Sequence, residues 1–131
     1  MLFAAATPAF ADCENPEPIR FAPGTSAADL DGGLARGDRA CFTVAARTGQ
    51  HMAVTQPNRG EGNIVLQFYR PPWTVTVLPH GPRVSGTALP GAGEGEDAAE
   101  WRGTLPATGA YLLILGTSRG GGEYHVCVEV R

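Results

Sequence analysis

The sequence predicts an all-β protein, an antiparallel β-sandwich of the jelly-roll type with about eight to nine strands. Apolar or alternating segments recur at a spacing of about 8 to 12 residues, with turn residues between them. The 18 glycines and 11 prolines are dispersed between these segments, which is typical of a turn-rich β protein. No segment carries a helical repeat of useful length. The 131 residues fit one domain, which we place at residues 12–131.

The last third of the chain contains the clearest strand patterns. Between residues 124 and 130, a tyrosine and three valines alternate with other residues, which is the period of a strand with one buried face. Residues 111–115 are apolar at every position, which indicates a strand covered on both faces. Glycines in residues 118–122 accept positive φ and can reverse the chain. We therefore predict that the last two strands form a hairpin.

The earlier segments are predicted to be shorter strands, the first of them at residues 19–21. We expect Gly32 and Gly33 to form a β-bulge. Pro71 and Pro72 should end the strand before them, because proline cannot donate a hydrogen bond to a ladder. The other predicted strands lie at residues 28–34, 41–46, 51–55, 63–69, 74–78, 83–87 and 99–105.

Charge and hydropathy exclude two classes of partner. The net charge of -3 is too small to indicate binding to nucleic acid or to an acidic membrane surface. No apolar run is long enough to cross a bilayer, so we expect no membrane insertion. All ten basic residues are arginine, a side chain suited to a bidentate grip on carboxylates.

The first residues resemble the end of a secretory signal peptide. Residues 1–11 are small and apolar, and they close on the pattern Ala9-x-Ala11 before Asp12. This pattern predicts cleavage of residues 1–11 and a periplasmic or secreted protein. The alternative is an alanine-rich tail.

Motifs for catalysis are missing from the sequence. Ser85 and Ser118 do not stand in a Gly-x-Ser-x-Gly pattern. The acidic loop from Glu94 to Asp97 is interpreted as a solvated loop, with weak calcium binding left open. We expect no enzyme activity, no cofactor and no metal site. The three histidines share no metal-ligand spacing: His51, His80 and His125.

Three cysteines in an exported protein permit one disulfide and leave one thiol. Because the final strand of a jelly roll lies between the first and the third, we expect all three cysteines near one edge of one sheet. The preferred pair is Cys13–Cys41, which would clamp the N-terminal arm. The alternative is Cys41–Cys127, a cross-strand pair. Such a bridge is worth about 2–4 kcal/mol.

Four short patterns stand out in residues 19–130. They are Ile19-Arg20-Phe21, Asp38-x-x-Cys41-Phe42-Thr43-Val44-x-Ala46-x-x-Gly49-Gln50, Leu105-Pro106-x-x-Gly109-x-Tyr111 and Gly122-x-Tyr124-x-Val126-x-Val128. With these patterns the chain resembles the bacterial pre-peptidase C-terminal domain, a small secreted jelly-roll sandwich, and also the sandwich of the periplasmic inhibitors of i-type and g-type lysozymes. The first resemblance implies a polymer-binding accessory module, and the second implies a loop inserted into an enzyme's cleft.

The resemblance to lysozyme inhibitors implies candidate contact residues. The inhibitory loop of the i-type inhibitors carries Ser-Gly-x-x-Tyr, and the nearest match here is the shorter Thr-Gly-Ala-Tyr that ends at Tyr111. The arginine-rich turn of the g-type inhibitors corresponds to Ser118 and Arg119, followed by three glycines. We predict that Tyr111, Ser118 and Arg119 contact a lysozyme-like hydrolase, since an arginine binds well to a carboxylate-lined cleft. The alternative is an ordinary flexible turn.

A second candidate surface is aromatic. Tyr69 and Trp73 flank Arg70 and the two prolines in the densest aromatic segment of the chain. Such side chains dominate binding hot spots and could stack on a cell-wall or glycan polymer. In the alternative interpretation, Phe68 and Trp73 fill the core between the sheets.

Overall fold

A computed structural model describes residues 13–58, 62–79 and 81–131, and within them it contains nine β-strands and no helix. The predicted all-β sandwich is confirmed. Residues 1–11, the predicted signal peptide, lie outside the described residues. The strands are β1 (Glu17–Pro18), β2 (Ala27–Leu34), β3 (Ala40–Ala46), β4 (His51–Thr55), β5 (Ile64–Leu78), β6 (Gly81–Ala88), β7 (Trp101–Thr104), β8 (Gly109–Thr117) and β9 (Gly122–Val130).

The strands form two sheets with a nested pairing. The five-stranded sheet has the order β1-β3-β8-β5-β6, and the four-stranded sheet has the order β2-β9-β4-β7. Within the two sheets β2 pairs with β9, β3 with β8, β4 with β7 and β5 with β6, all antiparallel. This is the order obtained when one long hairpin is rolled up, which is the jelly roll. The two-residue β1 adds to β3 in parallel.

The main core lies between the two sheets, and alternation along each strand builds it. Phe42 and Val44 of β3 point inward, as do Val126 and Val128 of β9. Phe68 stands at the centre, with its ring centroid 5.6 Å from that of Tyr111 and 5.4 Å from that of Trp101. Full burial of one such side chain contributes about 1.5–3 kcal/mol.

A second apolar cluster covers the outer face of the five-stranded sheet. There the outer part of the β5–β6 hairpin packs over the sheet. Strand β8 is therefore covered on both faces, as its unbroken apolar run predicts. The cluster consists of Cys13, Cys41, Tyr69, Leu112 and Ile114, with Trp73, Val75, Val84 and Ala88 packed against them.

The predicted terminal hairpin is wrong. Strand β8 lies between β3 and β5 in one sheet, whereas β9 lies between β2 and β4 in the other. Because both edges of β8 are already paired, β9 has no place beside it. Residues 118–121 instead carry the chain from one sheet to the other.

Two predicted strand boundaries are also wrong. Strand β5 continues through the cis peptide bond between Pro71 and Pro72. The pairing with β6 shifts in register between Arg70 and Trp73, so no hydrogen bond to β6 is required from either proline. At the N-terminus the first strand is β1, which precedes residues 19–21. The amide of Ile19 still donates to the carbonyl of Thr43, at 2.8 Å.

The predicted bulge at Gly32 and Gly33 is absent, since β2 and β9 pair in one unbroken register. Gly32 instead makes room for an aromatic ring. A Cβ atom at this position would lie 2.5 Å from the hydroxyl oxygen of Tyr124.

The disulfide Cys13–Cys41 is present, as preferred, and Cys127 is free. The alternative pair Cys41–Cys127 is wrong, because β3 and β9 belong to different sheets. The roll starts at β2 and not at residues 19–21, so the final strand lies between β2 and β4. The sequence analysis counted residues 19–21 as the first strand of the roll, and this error placed all three cysteines in one sheet.

Candidate interaction site at one end of the sandwich

Three connecting segments meet at one end of the sandwich, which we name the arginine end: residues 35–39, 62–63 and 118–121. They meet because β2 ends at Leu34 opposite Gly122, and β5 begins at Ile64 opposite Thr117. The arginine end carries three exposed arginines, Arg36, Arg39 and Arg119, and the exposed Ser118.

Hydrogen bonds join the three segments. The amide of Gly37 donates to Oγ1 of Thr117 at 2.9 Å. The amide of Ser118 donates to the carbonyl of Asn63 at 2.9 Å, and the side chain of Asn63 donates to the carbonyl of Gly121 at 3.3 Å. Residues 118–121 are therefore held near both ends, which reduces the conformational entropy that a contact from Arg119 would lose.

A close backbone approach adds to these bonds. A Cβ atom at Gly121 would lie 2.5 Å from the carbonyl oxygen of Leu34 and 3.2 Å from Cα of Ala35. Only glycine fits there without displacing one of the two segments. The preceding Gly120 is different, because its added Cβ would come no closer than 3.6 Å to Asn63.

The charges of the arginine end are open to a partner. In the described part of the chain, no ion pair includes Arg36, Arg39 or Arg119, because the three present lie elsewhere. A guanidinium without a carboxylate neighbour keeps its planar donor set available for bidentate contact. The existing pairs are Arg102–Glu100, Arg131–Glu129 and His125–Asp31.

Tyr111 lies away from this site. Its side chain has no exposed surface, and it is seven residues along β8 from Ser118, about 23 Å at the rise of a strand. Its hydroxyl donates to the carbonyl of Ala107 at 2.6 Å and accepts the amide of Ala107 at 3.0 Å. This is a tyrosine corner, a packing device of β-sandwiches. A fully buried side chain does not contact a partner protein, so the predicted contact role of Tyr111 is corrected to a structural one.

Tyr69 and Trp73 both lie on the outer face of the five-stranded sheet. Tyr69 is 7 % exposed, and its hydroxyl donates to Oε1 of Gln67 at 2.7 Å. Trp73 is half-buried, and its indole donates to the carbonyl of Ala110 at 2.8 Å. The alternative interpretation, that Phe68 and Trp73 fill the core between the sheets, is correct for Phe68 and wrong for Trp73, which belongs to the outer cluster.

Arg36, Arg39 and Asn63 are the residues of the arginine end that the sequence analysis missed. Residues 36–39 lie between the predicted strands 28–34 and 41–46, and no contact role was predicted for them. A jelly-roll strand order places the segment after β2 beside the segment before β9. This order would have predicted that Arg36 and Arg39 lie at the same end as Arg119.

The acidic loop is turned on itself, since the amide of Gly93 donates to Oε1 of Glu96 at 2.7 Å. Within the described ranges, no group of three or more histidine, cysteine or acidic residues is arranged to hold a metal ion. The same ranges contain no helix that is long and apolar enough to span a membrane. The disulfide is consistent with an oxidising compartment.

Comparison with known proteins identifies solved structures that share this fold. No model of a known protein family matches the chain, and no curated protein matches its sequence. Among solved structures, the chain is similar to PliG of Aeromonas hydrophila, a periplasmic inhibitor of g-type lysozyme, with 26 % identity and a TM-score of 0.60 over 88 % of this chain and 95 % of that one.

Two further structures share the fold at lower identity. A mutant of the Escherichia coli PliG is 19 % identical with a TM-score of 0.59, and the Salmonella Typhimurium PliG is 20 % identical with a TM-score of 0.55. Each alignment covers 87 % of this chain and 96 % of the other. All three structures are described as periplasmic inhibitors of g-type lysozyme. The chain therefore has the fold of proteins that act by binding an enzyme.

Proposed function

We propose that this protein is an exported, non-catalytic inhibitor of a lysozyme of the g-type, and that it inserts residues 118–121 into the enzyme's cleft. The observation that carries the proposal is the exposed Arg119 on a segment fixed by Asn63 and Leu34. Two further unpaired arginines stand beside it. The likeness to the Aeromonas inhibitor over 95 % of that chain supports the choice of target.

The chemistry of the target suits an arginine. Glycoside hydrolases usually work with two carboxyl groups that flank the scissile bond. A guanidinium forms short, charge-assisted bonds with such a group, and these bonds are about twice as strong as neutral ones. Arg119 would occupy the position of the substrate near a catalytic carboxylate. The hydroxyl of Ser118 donates to the carbonyl of Asn63 at 3.3 Å, and its oxygen would accept a hydrogen bond from the cleft wall.

Tyr69 and Trp73 do not support a second function in polymer binding. Tyr69 is almost fully buried, and the indole nitrogen of Trp73 already has a partner in Ala110. Of these two rings, only the half-buried Trp73 offers any surface for stacking on a polymer.

The test is a panel of lysozymes of the c, g and i types, assayed with increasing amounts of the protein. We expect inhibition of the g-type enzyme at a near-equimolar ratio, and little effect on the other two. Undiminished turnover of the g-type enzyme with an excess of the protein would refute the proposal.

A further inference from the structure

A groove of about 470 Å³ opens on the outer face of the five-stranded sheet, beneath the outer part of the β5–β6 hairpin. One wall is the sheet itself, with Gln67 and Tyr69. The other wall is the hairpin, with the aliphatic side chains of Leu78, Pro82 and Val84. Three charged residues complete the lining: Arg39, Arg83 and Glu94.

The groove has an excess of positive charge. Neither Arg39 nor Arg83 has an ion pair within the described residues, and Glu94 has none there either. Burial raises the pKa of Tyr69, Glu94 raises it further and Arg39 opposes the rise, so both charges act on the tyrosine hydroxyl. Two arginines and one glutamate therefore line the groove, together with Gln67, whose side chain carries an amide.

The groove is continuous with the arginine end. Arg39 belongs to residues 35–39, whose Gly37 is bonded to Thr117 immediately before Ser118. The one large apolar side chain that is exposed in the described residues, Val77 at 55 %, pairs with Pro82 at the rim of the groove. A partner that is seated on Arg119 therefore has a polar and aliphatic surface beside it.

We infer that this groove is a second contact surface of the inhibitor and takes an acidic segment of the target enzyme. Carboxylates of that segment pair with Arg39 and Arg83, and its aliphatic parts contact Leu78 and Val84. A peptide fits better than a sugar ring, because almost no ring surface of Tyr69 is open for stacking. The inference rests on the proposed function, since it names how the same partner is held.

The first test compares two single substitutions that remove the same charge. Arg83→Gln changes the groove alone, whereas Arg47→Gln changes an exposed arginine at the opposite end of the sandwich. We expect Arg83→Gln to raise the Kd for a g-type lysozyme about tenfold and to weaken its dependence on salt, because the loss of a charged contact reduces electrostatic attraction. Arg47→Gln should stay within about twofold.

Equal effects of the two substitutions would overturn the inference. They would leave the proposed function intact as long as Arg119→Ala still raises the Kd by the roughly thirtyfold expected of a central arginine contact. The two ideas can therefore fail separately.

The second test needs no lysozyme. The acidic tripeptide acetyl-Glu-Glu-Glu-amide is titrated into the labelled protein, and the side-chain amide signals of Gln67 are followed by NMR. We expect a saturable shift that is lost in Arg83→Gln and retained in Arg47→Gln. The absence of a shift at Gln67, or a shift that survives Arg83→Gln, would contradict an acidic-peptide site.

Discussion

Hydrogen bonds hold the loops together at both ends of the sandwich, but the two ends differ in the charged side chains that they expose. At the end opposite the arginines, the amide of Thr48 donates to Oγ1 of Thr108 at 3.0 Å, and the amide of Gly49 donates to the carbonyl of Leu105 at 2.9 Å. Its tyrosine is buried, and its arginines include Arg47, which has no ion pair among the described residues, and Arg131, which pairs with Glu129. None of the three arginines of the arginine end has an ion pair in those residues. Rigidity therefore does not distinguish a binding end from a structural one, whereas unpaired charge does.

The largest expected effect comes from Arg119→Ala. Truncation of a central arginine contact typically costs about 2 kcal/mol or more, which is roughly a thirtyfold rise in Kd. Isothermal titration with a g-type lysozyme would measure it, with Arg47→Ala as the matched control at the other end. If the two variants bind equally, the distinction between the ends is wrong.

A pair of neighbouring glycines tests the geometry of the same end. Gly121→Ala places a methyl group against the carbonyl of Leu34, so we expect a loss of about 1–3 kcal/mol in the free energy of unfolding and weaker binding. Gly120→Ala meets only an ordinary contact and should change either quantity by about 0.5 kcal/mol or less. Chemical denaturation would measure the free energy of unfolding, and isothermal titration would measure the Kd. Identical behaviour of the two variants would argue against a fixed conformation of residues 118–121.

Tyr111→Phe, at the other end of the sandwich, should lower the stability of the protein without weakening its binding. It removes the hydroxyl that satisfies both backbone groups of Ala107, so the free energy of unfolding should fall by about 1–3 kcal/mol. The Kd of the folded variant should stay within about twofold of the parent. A folded Tyr111→Phe variant that no longer binds would make the tyrosine corner part of the interface after all.

The smallest effect is expected for the thiol of Cys127, which lies between the two ends on the outer face of the four-stranded sheet. Partial burial raises the pKa of the Cys127 thiol, and the carboxylates of Asp29 and Glu129 raise it further. Less thiolate is present at pH 8 than for a free cysteine, so alkylation should be slow. Asp29→Asn removes the charge and the side-chain hydrogen bond of Asp29, which both raise the pKa, and should therefore speed alkylation. An unchanged rate would show that the carboxylate does not act on the thiol.

Local side-chain patterns predicted much of the fold. The alternation in β9 and the unbroken apolar run in β8 gave the correct buried faces, because the side-chain period of a strand is a property of neighbouring residues. The same patterns could not predict that β8 and β9 belong to different sheets, because pairing depends on residues far apart in the chain. Pro71 and Pro72 show the same limit, since the bulge that accommodates them needs β6 beside them.

The candidate site was predicted only in part. Exposure of Ser118 and Arg119 follows from a glycine-rich connection, which sequence alone indicates. The position of Tyr111 in a corner depends on the turn at residues 105–108, and Gly109 at φ 148° beside Pro71 fixes the entry into β8. Arg39 lies in the segment before β3 and Arg83 lies in β6, so their meeting at one groove depends on the folded hairpin.

The nested pairing has a consequence for the order of events during biogenesis. Strand β2 near the beginning of the chain completes its ladder only with β9, the last strand, and β3 completes its ladder only with β8. The four-stranded sheet therefore needs residues 122–130, and the five-stranded sheet needs residues 109–117. Pairings of such long sequence separation form slowly, typically in milliseconds to seconds. In a chain that is exported as we propose, such slow pairing would keep the polypeptide unfolded while it crosses the membrane.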